Sequence, residues 1–293
     1  MSRIGSTLIQ RGSLNPQNGS LQSKTSFYYP FLLLPKKKRL ALEILYRFCW
    51  AADEISDNPG PIKSKKIKLQ AFKKNLEDCF NAESLEPLFQ KLQSVVQAFG
   101  LSPEPLRQIV AGVEKDLKPI RFKTFAELHR YALQVAGGPG LASMEIFGFK
   151  DKAHRTYALN LGVFLQLVNM VRDYKEDKEM GRIYLPSTDF KRFNLNPLAL
   201  EENNSYWPGF VDFQLERAWS FLQAARGALT QTQRADLATA EAIAAVYIKL
   251  FQKLKSRPHS ILKGRISLTK ADKALSLAVA AGRCLVWKVL WPR

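Results

Sequence analysis

The chain has 293 residues, with 44 Lys+Arg against 26 Asp+Glu, and so a formal charge of +18. Hydrophobic residues make up 46% and charged residues 24%, a balance that supports a sizeable core and excludes a disordered chain, a coiled coil or a collagen-like fibre. Cys49, Cys79 and Cys284 are odd in number, far apart and without metal-ligand spacing, which excludes a disulfide scaffold or a cysteine–zinc site and fits a reducing, cytoplasmic compartment.

The positive excess points to a polyanion: nucleic acid, an anionic membrane surface or a phosphorylated substrate. The first acidic residue is Glu43; before it stand Arg3, Arg11, Lys24 and the run Lys36-Lys37-Lys38-Arg39. An acid-free start bearing Arg and Ser is one mark of a transit peptide, yet Gly5, Gly12, Asn15, Pro16, Asn18 and Gly19 break any amphipathic helix there. Residues 1–22 are therefore expected to form a disordered basic arm, and residues 23–293 a single domain.

The pattern beyond the arm is helical almost throughout. Pro35 suits a first helical turn, Leu40, Ile44 and Phe48 recur at helical spacing, and Asn58-Pro59-Gly60-Pro61 stops the helix. Further helices are predicted near 63–82, 85–99, 103–117, 124–148, 152–180, 206–228, 234–256 and 270–290. Gly148-Phe149-Lys150-Asp151 and Gly181 to Pro186 mark breaks. Alternating strands and repeats of solenoid length are absent. Nowhere do about 18 uncharged apolar residues run together. Ala274 to Trp291, interrupted by Arg283 and Lys288, reads as a basic amphipathic helix able to lie on a membrane. The expected fold is one all-α domain.

Two acidic pairs carry the chemistry. Asp53 and Asp57 stand four apart, one turn along one helix face, with Tyr46 seven residues before Asp53 on the same stripe. Asp173 and Asp177 repeat the device, with Gln166 seven before and Asn169 one turn nearer. Like charges at this spacing disfavour a helix slightly, and in a buried cleft heavily. Hard cations compensate them, because Mg²⁺ takes carboxylate oxygens and bridges to phosphates. Two facing pairs would hold a diphosphate through shared metals and assist its departure. The competing reading of a lone pair is a solvated helix face. The apolar neighbours Phe48, Trp50, Ala51, Ala52 and Ile55, and Val168, Met170 and Val171, weigh against it. His129, His154 and His259 are isolated and read as structural.

At these residues the chain resembles the squalene/phytoene synthase family of head-to-head isoprenoid synthases, from about Ser26 to the C-terminus. Ser26-Phe27-Tyr28-Tyr29 with Leu34-Pro35 is similar to the family's opening, and Asp53-Glu54-Ile55-Ser56-Asp57 to its first aspartate-rich motif. Gln166 to Asp177 followed by Gly181-Arg182-Ile183-Tyr184-Leu185-Pro186 is similar to the second. Gly112, Asp116-Leu117 and Tyr131 through Val135-Ala136-Gly137 to Gly140-Leu141 also fit the pattern. The resemblance implies an all-α isoprenoid synthase bundle around a central cavity and Mg²⁺-dependent joining of two prenyl diphosphates. It implies metal binding by Asp53, Asp57, Asp173 and Asp177. Diphosphate contact or ordering of the metal ligands would fall to Gln166, Asn169, Arg172 and Arg182. Tyr46, Tyr131 and Tyr184 would lie near the cation or diphosphate. Ser26 and Phe27, with Lys24, would cover the site.

Within the family, the opening segment, the Gly181–Pro186 stretch and Arg265-Ile266-Ser267-Leu268-Thr269 look most like bacterial presqualene diphosphate synthases of hopanoid pathways. The expected reaction joins two farnesyl diphosphates to presqualene diphosphate, without NADPH. Phytoene synthase, hydroxysqualene synthase and a terpene cyclase are the enzymatic alternatives; a nucleic-acid binder or an assembly factor is the non-enzymatic one. No nucleic-acid-binding motif is present, and both acidic pairs are kept. Three departures stand out: Glu54 where relatives often carry Asp, Trp50 where many place a diphosphate-binding Arg, and Pro139 in Gly137-Gly138-Pro139-Gly140, expected to break the helix along the channel. Peripheral attachment to the inner face of an anionic membrane, beside downstream squalene-pathway enzymes, completes the expectation.

Overall fold

The computed structural model describes residues 27–290. Ser26, Lys24 and the expected arm lie outside the described residues. Among those described there is no β-strand, only an isolated parallel bridge between Arg121 and Ile183. About 74% of the described residues are helical.

A short turn, α1 (Tyr28–Phe31), leads into α2 (Lys36–Asp57), capped by Pro35 and ended by the Asn58–Pro61 segment. Then come α3 (Ile62–Phe80), α4 (Pro87–Phe99) and α5 (Pro103–Lys115), the last two starting on prolines whose missing N–H is no loss there. Gly100, at φ 62°, caps α4 in the left-handed region that glycine reaches without strain. Helix α6 (Phe125–Ala132) opens with a capping box, Thr124 with Glu127.

The 124–148 segment, expected as one helix broken at Pro139, runs differently. A π-helical turn, Leu133–Gly137, joins α6 to α7 (Gly138–Phe147). Pro139 falls in the first turn of α7, just after the π turn has changed the hydrogen-bonding register. The chain stays helical through it, with Gly138 at φ −55° and ψ −56°.

Helix α8 (Lys152–Arg172) is the centre of the molecule. Asp151 caps its first turn, accepting from the N–H groups of Ala153 and His154. Every residue from Leu161 to Arg172 is buried, the signature of a helix covered on all sides. The expected 152–180 helix is interrupted: Asp173 sits at φ −95°, ψ 8° between α8 and α9 (Tyr174–Glu179). There follow α10 (Ser187–Arg192), α11 (Trp207–Gly227), α12 (Gln231–Asp236), α13 (Ala238–Ser256), α14 (Ser260–Lys263) and α15 (Lys270–Leu290). One continuous apolar core runs from Phe27 to Ile266.

Small residues set the distance between the central helices. A Cβ on Gly162 of α8 would lie 2.7 Å from the Ala136 carbonyl oxygen of the π turn. One on Gly138 would lie 2.7 Å from the Pro105 carbonyl oxygen of α5. These backbones touch because glycine lets them.

Candidate active site

The C-terminal ends of α2, α5 and α8 meet, bringing Asp57, Asp116, Asp173 and Asp177 within mutual electrostatic reach. A helix C-terminus carries the negative end of the macrodipole, so acids there are disfavoured. All four are also buried, at 8% exposure or less. Such a concentration of negative charge stands only with compensation.

Arginines supply part of it. Arg182 Nη1 donates to Asp57 Oδ1 at 2.8 Å, and its Nη2 reaches the carbonyls of Ser56 and Asp116. Arg172 grips Asp173 with two nitrogens, Nε at 2.7 Å from Oδ1 and Nη2 on Oδ2, and Arg265 Nε adds a third contact at 3.2 Å. Burial opposes the charge on Arg172, yet Asp173 holds it protonated well above the usual range. Arg265 moves the other way, lowered by burial and by its neighbour Arg172. Lys273 is lowered by burial, Arg172 and Arg265. A compact cationic group therefore borders the acidic one.

Asp177 is different. Both its carboxylate oxygens are buried with no hydrogen-bond partner, and burial, reinforced by Asp173, pushes its affinity for a proton well up. Arg265, whose Nε contacts Asp173, has its Nη2 buried as a donor without a partner. One site thus holds an acceptor lacking a cation and a donor lacking an anion.

Tyr131 and Tyr184 stack at 5.6 Å between ring centroids, and both hydroxyls donate to Asp116, at 2.8 Å and 3.3 Å. Burial pushes Asp116 up to about 7, against the pull of Arg182 and the Tyr131 hydrogen bond. On α8, Gln166 and Asn169 are fully buried, and Asn169 lies against the Tyr247 hydroxyl of α13.

Asp53, one turn before Asp57 on α2, lines an apolar tunnel whose space, with its solvent-open mouth, is about 880 Å³. Leu42, Leu45, Tyr46, Cys49 and Asp53 line it from one face of α2, a strip of about 16 Å at helical rise. Pro139, Ser143 and Phe147 of α7 and Ala158 and Leu165 of α8 form other walls. Phe27 lines the tunnel as well and packs on Tyr46 at 5.9 Å. The tunnel has a charged end at Asp53 and an apolar end at Phe31 and Phe147.

The expected site residues that are described lie at the acidic cluster or along the tunnel, and the helix carrying the second acidic pair differs from expectation. Asp173 and Asp177 do not form a continuous helical pair, because the turn at Asp173 falls between them and both Asp173 oxygens are taken by arginines. Among the described residues, no three His, Cys, Asp or Glu side chains converge closely enough to form a metal-ligating group. The sequence reading gave no site role to Asp116, Arg265, Tyr247 or Lys273. An aspartate placed just after α5, where the dipole disfavours it, was the available signal for the first.

The squalene/phytoene synthase family model matches residues 21–272. The chain belongs to that family. Its relatives include the 15-cis-phytoene synthase of Synechococcus elongatus, 29% identical over 275 residues and 89% of each chain. Phytoene synthase 1 of Zea mays is 28% identical over 269 residues, 89% of this chain and 66% of that protein; the chain spans just under two thirds of such chloroplastic relatives. Among solved structures, a dehydrosqualene synthase matches with a TM-score of 0.76 and 22% identity, over 89% of this chain and 92% of that one. A squalene synthase from Alicyclobacillus acidocaldarius matches with a TM-score of 0.64 and 19% identity, over 90% and 88%. The isoprenoid synthase fold expected from the sequence is therefore the fold this family member has.

Proposed function

We propose that this squalene/phytoene synthase family member joins two prenyl diphosphates head to head. The observation that carries the reading is that the side chains around Asp173 include an unpartnered buried carboxylate on Asp177 and an unpartnered guanidinium nitrogen on Arg265, while Asp53, one turn before Asp57, lines an apolar tunnel. A hard divalent cation fits the first and a diphosphate the second. Carboxylate donors suit Mg²⁺, which Asp53, Asp57, Asp173 and Asp177 would hold one or two at a time together with substrate phosphate oxygens. Bound there, Mg²⁺ neutralises charge on the departing diphosphate.

The protein's own residues account for the rest. Arg172, Arg182 and Arg265 take the diphosphate oxygens, with Gln166 and Asn169 ordering the acids. One allylic diphosphate loses diphosphate, and its C1 cation is attacked by the double bond of the second substrate. Proton loss closes a cyclopropane, so two substrates give one cyclopropylcarbinyl diphosphate, one diphosphate and one proton. The apolar walls keep water from the cation. Tyr131 and Tyr184, whose hydroxyls donate to Asp116, would stabilise positive charge through their oxygens and ring faces.

The names of the relatives favour geranylgeranyl diphosphate as substrate and phytoene as product. Loss of the second diphosphate and one more proton completes that route with no reductant, so NADPH is not required. Farnesyl diphosphate and presqualene diphosphate are the second reading, favoured by the opening and Gly181–Pro186 segments. Incubation of the full chain with each substrate and Mg²⁺, with and without NADPH, followed by product identification, decides. A C40 hydrocarbon is the expected product; a C30 diphosphate selects the second reading. Recovery of unchanged or merely hydrolysed substrate would remove the condensation altogether.

A further inference from the structure

The apolar end of the tunnel lies beside a surface whose make-up the core does not explain. Leu32, Leu33 and Leu40 are 49%, 44% and 47% exposed, and between them runs Lys36-Lys37-Lys38-Arg39. These cations occupy the first turn of α2, which has no acidic residue and no side-chain cap. The positive end of the helix dipole disfavours them there, so they weaken the helix they begin.

Two of them are held in place. Lys38 Nζ donates to the Phe147 carbonyl at 2.8 Å, tying the run to the end of α7. Lys37 lies over the Phe99 ring at 5.6 Å. Next to Phe99, Lys150 Nζ reaches the Gly100 carbonyl and adds another cation. A depression of about 550 Å³ opens here, lined by Leu33, Leu34, Lys38, Phe147 and Leu237 with Asp236 as its carboxylate. Phe147 also lines the tunnel, so one side chain separates the apolar passage from the surface depression.

We propose that this pole is the docking surface for an anionic lipid bilayer, with Leu32, Leu33 and Leu40 entering the interface and Lys36, Lys37, Arg39 and Lys150 meeting lipid phosphates. Exposed leucines among lysines match such a surface in both apolar area and charge, each nearby cation adding to the attraction. A rigid nucleic acid would leave the leucines without a partner. The placement also sets the apolar end of the tunnel against lipid and the acidic end away from it. Helix α15 is the competing contact, since Leu275 and Val279 are exposed. Its start carries Asp272, and Ser276 and Ala280 are buried.

The test is sedimentation of the full chain with vesicles of phosphatidylcholine alone, or of equal parts phosphatidylcholine and phosphatidylglycerol. Wild type should partition onto the anionic vesicles only. Lys36→Gln/Lys37→Gln/Arg39→Gln should weaken that binding roughly a hundredfold, and Leu32→Asn/Leu33→Asn/Leu40→Gln should abolish what survives at high salt. Both variants should keep their helical circular dichroism and wild-type turnover on detergent-dispersed substrate, so the result stands apart from the identity of the product. Wild-type binding by both variants would overturn the proposal. So would loss of binding in Leu275→Gln/Val279→Gln alone, or capture of duplex DNA by a chain that ignores vesicles.

Discussion

Asp177 is the residue on which the site turns. Its charge is buried without a partner, so without metal it weakens the fold, and with metal it binds. Asp177→Asn should therefore raise the melting temperature in chelator, remove the further rise that Mg²⁺ gives wild type, and abolish condensation; calorimetry with and without Mg²⁺ checks the first two and a product assay the third. Asp173→Asn should behave in the opposite way. It strands Arg172 and Arg265 in a buried site, a loss of about 3 kcal/mol visible in urea melts. Asp116 predicts a pH dependence. Its folded pKa, about 7, lies above that of an unfolded aspartate, so it stabilises the fold fully only at low pH. That contribution, at most about 4 kcal/mol, is lost as pH rises from about 4 through 7. In chelator, the melting temperature of Asp116→Asn relative to wild type should climb across this window and then level off. A difference that stays flat from pH 4 to 8 would show that Asp116 carries no such shift.

At the scale of elements, the central packing rests on backbone contact. Gly162→Ala places a methyl 2.7 Å from a carbonyl oxygen that has no flexible end to yield. It should cost about 1–3 kcal/mol and, since Gly162 also lines the tunnel, lower turnover further than it lowers stability. Paired thermal melts and rate measurements separate the two effects. Helix bounds were largely legible in the sequence, because prolines, glycines and capping residues mark them: α3, α4, α5 and α11 fall within two residues of their expected limits. The interruption at Asp173 was not, since no breaker marks it, and near Leu133–Gly137 the glycines and Pro139 signalled a break rather than a π turn. The first acidic pair was legible through its spacing on one helix, and the second through the same spacing although a break at Asp173 divides it. Arg265 and Lys273 were not, because only tertiary packing brings the α14–α15 segment and α15 to Asp173.

For the whole molecule, the tunnel gives the charge distribution a direction. Acids and arginines collect at the C-terminal ends of α2, α5 and α8, while a run of basic residues and exposed leucines collects where α2 begins. Ligands that span the first group should lock the fold. Mg²⁺ with a diphosphate analogue that cannot ionise, at a hundredfold excess over its Kd, should stabilise wild type by about 2.7 kcal/mol. Neither component alone should reach that value in differential scanning calorimetry if cation and anion complete one another.

The π turn between α6 and α7 has a consequence for how this sequence tolerates change in length. It carries one residue more than an α-helical turn, so the segments on either side are set out of phase by about 100°. Tyr131 before it faces Asp116, while Ser143 and Phe147 beyond it face the tunnel. Deleting Gln134 would restore an unbroken α-helix and rotate those tunnel residues out of the wall. Point substitutions at 134 should be mild by comparison, which makes this turn a place where indels and replacements have unequal effects.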